Sequence, residues 1–176
     1  MAGAVAALVS FSTSVQAIPI SGGISFAGAY TPNNANLTLA TSITFTPGAT
    51  FVTSDNGTFS IFAPGSVVTM ASPLAINPTA APVLALWSIG IYTFNALTLV
   101  QSDLTATTLT LRGTGIITDG VPADAVNGQW LATFNTLSGT FSYSASAGSV
   151  PDGGMTVMLL GVALTGLCLF RKKVMA

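Results

Sequence analysis

Between Ile18 and Ser149 the only acids are Asp55, Asp103, Asp119 and Asp124. Two carboxylates facing each other across a cleft, one with a raised pKa, would be the equipment of a glycoside hydrolase. Each of these four has a simpler local use. Asp55 precedes Asn56-Gly57 and Asp119 precedes Gly120, positions where turns recruit short polar side chains. Asp124 shares the polar loop of Asp119, and Asp103 follows Gln101-Ser102 at an expected hairpin. Asp119, Asp124 and Asn127 offer oxygen atoms to a calcium ion, but their spacing matches no EF-hand loop. A solvated loop is the expectation, and no metal is assigned. The chain has no His, and this region also lacks Cys, Lys and Glu. Ser–His and Cys–His nucleophiles are therefore excluded. The expectation is a protein that is not an enzyme, with no catalytic residue and no cofactor.

The bond-breaking chemistry suggested by the sequence is done to this chain, not by it. Val150, Pro151, Asp152, Gly153 and Gly154 form a short segment in which Pro removes a backbone donor and Gly-Gly opens the backbone. Such a segment presents a peptide bond to a processing enzyme. Met155–Phe170 follows without a charge. As a helix it would span ~24 Å, short of the ~30 Å hydrocarbon core but workable if flanking cations snorkel. Arg171, Lys172 and Lys173 come next, and they are three of the four bases in the chain. Cations beside an apolar helix stay on the cytoplasmic side, so they act as a membrane stop signal with everything before Met155 facing outward. Cys168 lies inside the apolar run as a small filler.

A short Pro-containing motif, an apolar helix and a terminal basic cluster together resemble the PEP-CTERM sorting signal. Val150 and Pro151 match its Val-Pro-Glu-Pro motif, Asp152 stands for the Glu, and Gly153 replaces the second Pro. The tail is similar to the VPDSG-type variant. Gly153-Gly154 also resembles GlyGly-CTERM tails, which rhomboid-like proteases read; that similarity ranks second. The first resemblance implies cleavage by an exosortase-type membrane protease and, as a further partner, exopolysaccharide. A group of short PEP-CTERM proteins is also similar in the middle of the chain. The similarity runs through Leu86-Trp87, Tyr92-Thr93-Phe94, Leu109–Gly115, Gly128-Gln129-Trp130 and Phe141–Ser146. It implies no activity.

The other end carries the complementary signal. Ala4–Phe11 is apolar, and Val15-Gln16-Ala17 places small side chains where signal peptidase needs them, so cleavage is expected after Ala17. No Lys or Arg precedes the apolar stretch. Only 5% of the chain is charged, against roughly 25% in an ordinary soluble domain. Thr, Ser, Gly and Asn supply the polarity of the interior instead. One Arg among residues 18–149 cannot neutralise a phosphate backbone, which excludes nucleic acid as a partner. That Arg112 is expected on the surface beside an Asp, with contact to an acidic polymer as the alternative.

The elements that must carry these residues are strands. Short alternating runs recur with turn signals every 8–12 residues: Ile24–Ala27, Leu37–Leu39, Ile43–Thr46 before Pro47-Gly48, and Thr58–Ile61 after Asn56-Gly57. They continue with Val67–Met70, Leu84–Trp87, Ile91–Phe94, Leu97–Val100, Leu109–Leu111, Ile116-Ile117, Trp130–Phe134 and Thr140–Tyr143. The pattern predicts an all-β fold, an antiparallel β-sandwich or barrel-like ectodomain, with one C-terminal transmembrane helix and an N-terminal signal segment. A central hairpin is expected around Ser88–Gly90, with Trp87, Phe94 and Trp130 anchoring the core. The expected organisation is a signal peptide over 1–17, a β-rich exported domain over 18–149 and a sorting signal over 150–176. The protein would pass through the inner membrane to the cell surface or the extracellular space. Its expected function is that of an exported surface or matrix structural protein. The alternatives are a carbohydrate-binding module, using Trp87 and Trp130 to stack on sugars, and an uncleaved single-pass anchored protein.

Overall fold

The structure is a computed structural model and describes residues 19–148. These residues build ten strands. They are β1 (Gly22–Pro32), β2 (Ser42–Asp55), β3 (Thr69–Met70), β4 (Leu74–Ala75) and β5 (Val83–Ile89), then β6 (Tyr92–Ala96), β7 (Val100–Leu104), β8 (Thr108–Thr118), β9 (Val126–Asn135) and β10 (Thr140–Ala147). The last two show why the sequence makes strands. In β9, Gly128, Trp130, Ala132 and Phe134 are buried while Gln129, Leu131 and Thr133 face out. In β10, Phe141, Tyr143 and Ala145 point in and Ser142, Ser144 and Ser146 point out. A period of two with one greasy face is the strand signature.

All strands belong to one antiparallel sheet, in the order β3-β5-β6-β8-β9-β10-β1-β2-β4, with β7 also paired to β8. Two separate stacked sheets, the sandwich form of the expectation, are not what the described residues build. The sheet curls instead into a half-barrel. Phe26 of β1 and Trp87 of β5 meet edge to face with ring centroids 5.2 Å apart, although β6, β8, β9 and β10 lie between their strands. Right-handed twist accumulated over so many strands closes a sheet on itself. The segment after Gly65 spans the remaining gap. Its Val68 N–H donates to the Thr50 carbonyl of β2 at 2.9 Å, and its Thr69 pairs with Ser88 of β5. At the other end of β2, β4 pairs with Ser42 and Ile43, and the Gln101 amide of β7 donates to the Ile76 carbonyl just beyond β4.

The inner face forms one hydrophobic core, dominated by aromatic rings. Trp87 and Phe94 are fully buried and stacked at 5.7 Å, and Trp130 is 4% exposed. All three expected anchors are therefore in the core, where burial of each is worth about 1.5–3 kcal/mol. The expected hairpin is present: Ile89 pairs with Tyr92 across Gly90-Ile91, with Gly90 at φ +56°. It lies towards one end of the strand order, not at its centre.

Several expected strands are something else, and tertiary partners explain each case. Leu37–Leu39 is a turn in which Asn36 Oδ1 accepts the Thr38 N–H, while the Leu37 N–H donates to the Ala106 carbonyl. An asparagine-rich segment satisfies its own backbone and needs no ladder. Pro47-Gly48 does not end a strand. β2 runs through it as a bulge, with Gly28 opposite Thr50 and Tyr30 opposite Phe45. Gly57–Ile61 is a 3-10 helix that buries Phe59. Asn56 makes no hairpin there: its Oδ1 accepts the Gly23 N–H at 2.7 Å, and a Cβ on Gly57 would overlap the Ser21 carbonyl. Only Thr69-Met70 of Val67–Met70 is strand. Leu97–Leu99 is a break between β6 and β7, whereas Leu109–Leu111 and Ile116-Ile117 belong to the single strand β8.

Among the described residues no helix is long and apolar enough to cross a membrane. The expected transmembrane run Met155–Phe170 lies outside the described residues, as do both expected domain boundaries.

Candidate functional site

The described chain begins and ends at the same end of the half-barrel. Gly22, which opens β1, is the register partner of Ala147, which closes β10. The next residue, Gly148, donates its N–H to the Asn127 carbonyl at 3.4 Å. The expected sorting residues Val150, Pro151, Asp152, Gly153 and Gly154 follow almost at once. They lie outside the described residues, as do Ala17 and the basic cluster Arg171, Lys172 and Lys173. A cut anywhere in the motif leaves all of β10 in the domain, because that strand is complete at Ala147.

The aspartates are spread over several segments. Asp55 closes β2 opposite Ile24, and Asp103 lies on β7 opposite Thr110. Asp119 and Asp124 share the loop between β8 and β9. Asp119 is the expected turn former: its Oδ1 accepts the Val121 N–H at 3.0 Å, and Gly120 takes φ +94°. Asp124 ends a short 3-10 turn, with Oδ1 buried and unpartnered. Asn127 faces solvent at the start of β9. Among the described residues no group of three or more potential ligands comes together for a metal ion.

Neither tryptophan offers a face to a sugar. Trp87 Nε1 donates to the Tyr143 hydroxyl at 2.8 Å, and Trp130 Nε1 donates to the Thr98 carbonyl at 3.3 Å. Burial raises the Tyr143 pKa well above its ordinary value, against a smaller opposing effect of the hydrogen bond from Trp87. Tyr30 is also buried, and its hydroxyl has no partner; loss of hydration pushes its pKa up to about 12.

The outward face carries the remaining feature. Register aligns Val100, Arg112, Leu131, Ser144, Ser25 and Ser54 in one row across β7, β8, β9, β10, β1 and β2. Arg112 is exposed there, and no ion pair joins it to an Asp among the described residues. Beside it lies a shallow depression of about 580 Å³ lined by Val100, Thr114, Gln129, Trp130, Leu131 and Ser144 among others. Sequence reasoning isolated Arg112 but missed this surface, because no local signal reports which residues of distant strands share a row.

Residues 149–174 match the VPDSG-CTERM motif, a variant of the PEP-CTERM-like sorting tail. The match bears out the first of the two tail resemblances. No curated protein and no solved structure matches the chain. A sorting motif of this kind suggests an exported protein that an exosortase processes.

Proposed function

We propose that this chain, whose tail matches the VPDSG-CTERM motif, is a non-enzymatic structural protein of the cell surface or extracellular matrix. It is exported, held in the membrane by Met155–Phe170 with Arg171, Lys172 and Lys173 inside, and cut by an exosortase within Val150–Gly154. The half-barrel is then delivered to the envelope, in association with exopolysaccharide.

The motif match over residues 149–174 carries the reading. Two features of the described domain support it. The last strand ends at Ala147, so cutting the motif costs the sheet nothing. The surface takes its polarity from Ser and Thr rows, which keep a sheet wet with very few charges.

Intact mass of the protein recovered from the surface of producing cells tests this. The expected mature chain starts near Ile18 and ends within Val150–Gly154. A surface form that retains Arg171–Lys173 would establish the uncleaved anchored protein instead. Stacking of sugars on Trp87 and Trp130 finds no support, since Trp87 is fully buried and Trp130 is only 4% exposed.

A further inference from the structure

The depression beside Arg112 is part of a longer trough. It shares Thr114, Gln129 and Ser146 with a neighbouring depression of about 540 Å³ that reaches Gly148. On the other side it shares Leu131 and Ser144 with one of about 330 Å³ that reaches Ser25 and Thr53. From β8 to β2 the trough crosses about 19 Å of sheet at the usual strand spacing. Its floor is low because Ser142, Ser144 and Ser146 of β10 are short, and Gln129 and Leu131 of β9 stand beside them.

Three observations select an occupant. The trough is open along its length, unlike the enclosed clefts that take small molecules, so it suits an extended polymer. Besides Arg112, its polar side chains are hydroxyls and the amides of Gln129 and Asn127. Backbone N–H and C=O groups of β8, β9, β10 and β1 are paired within the sheet, so along the floor a peptide has no edge to extend. Finally, the only cation among residues 19–148 stands in the trough without an ion pair, while none of the four aspartates lines it. A guanidinium is a planar fork that fits a carboxylate bidentately.

We propose that this outer-face trough binds an extended, carboxylate-bearing polysaccharide, with Arg112 pairing a carboxylate and Gln129, Thr114 and Ser144 bonding ring hydroxyls. The choice of polysaccharide deepens the function proposed above and rests on it in one respect, that the domain meets such polymers outside the cell. The one exposed ion pair is weak and screened by salt, so the hydroxyl and amide contacts along the trough supply the rest of the binding.

Affinity electrophoresis of the full chain in mild detergent tests this, in gels cast with a polyuronate, a neutral glucan or polyglutamate. The expected result is retardation by the polyuronate alone, lowered about fivefold by Arg112→Gln, partly kept by Arg112→Lys and reduced by salt. Ser144→Leu, which fills the floor without touching the charge, is expected to weaken retardation as well. Thermal melts of each variant confirm that the half-barrel is intact. Four outcomes overturn the proposal: no retardation, equal retardation of Arg112→Gln, equal retardation by polyglutamate, or equal retardation by the neutral glucan. A dimer that Arg112→Gln dissociates would assign the trough to a second copy and overturn it too. None of these outcomes alters the mass of the processed chain, so the export reading stands or falls separately.

Discussion

The Trp87 indole N–H donates to the Tyr143 hydroxyl at 2.8 Å across a separation of 56 residues. The pair ties β5 to β10 through the interior of the half-barrel. Trp87 is fully buried and Tyr143 is 3% exposed. Tyr143 stacks on Phe26 at 5.2 Å and on Trp130 at 5.9 Å, while Trp87 stacks on Phe94. Each polar atom is thus enclosed by rings and satisfied only by the other. In an apolar interior such a pair selects one arrangement, because any slip leaves both groups without partners.

Tyr143→Phe leaves the buried indole N–H unpaired and is expected to cost about 1–3 kcal/mol. Trp87→Phe leaves the hydroxyl unpaired and adds a cavity, so it costs more. The double variant is expected to cost less than the sum, since the two changes remove one shared interaction. Urea unfolding of the four proteins checks this; simple additivity would argue that the bond contributes nothing.

Tyr30 is the counter-case, a buried phenol whose hydroxyl has no partner. Tyr30→Phe is therefore expected to leave stability at neutral pH unchanged or slightly raised. Its pKa of about 12 in the folded protein lies above that of the unfolded chain, near 10. The unfolded state releases the proton first, so stability is full below pH 10 and falls as pH rises towards 12. Tyr143, shifted in the same direction, adds to the same alkaline loss. Urea midpoints at pH 8, 10 and 11 should decline, and less steeply in Tyr30→Phe. A parallel decline would place the titration elsewhere.

Gly113→Ala is expected to destabilise by about 1–3 kcal/mol. A Cβ at this position of β8 would overlap the Thr98 carbonyl oxygen and crowd Trp130 Nε1. That carbonyl is backbone and accepts the Trp130 hydrogen bond, so it has little room to yield. Gly148→Ala is the control, with nothing within 4 Å of the added carbon. Equal melting temperatures for the two variants would show that the β6–β7 break is looser than it looks.

A chain ending at Ser149 is expected to melt within about 2 °C of the full chain. Every strand of the sheet is complete by Ala147. Truncation before Thr140 is expected to abolish cooperative melting, because β10 sits between β9 and β1. Circular dichroism melts distinguish the two.

The alternating strands β9 and β10 and the hairpin at Gly90 were legible in the sequence. There the buried face is apolar residue by residue, so local pattern and final environment agree. Leu37–Leu39 and Thr58–Ile61 alternate just as well yet form turns. Asn36 Oδ1 takes the Thr38 N–H, and the Phe59 and Phe62 N–H groups turn back onto the Asn56 and Phe59 carbonyls; nothing in a short window says which partner wins. Pro47-Gly48 reads as a turn for the same reason; only its pairing with Gly28 and Tyr30 makes it a bulge.

By itself the sequence determined the all-β class, the scarcity of catalytic groups and the identity of the tail. The motif is a linear pattern, so residues 149–174 match it whatever the fold of the rest. Only the tertiary structure decided that the strands make one curled sheet, that Trp87 and Trp130 are enclosed, and that Arg112 shares a row with Leu131 and Ser144. Those facts depend on register between strands far apart in the chain, where a shift of one residue would turn every side chain to the opposite face.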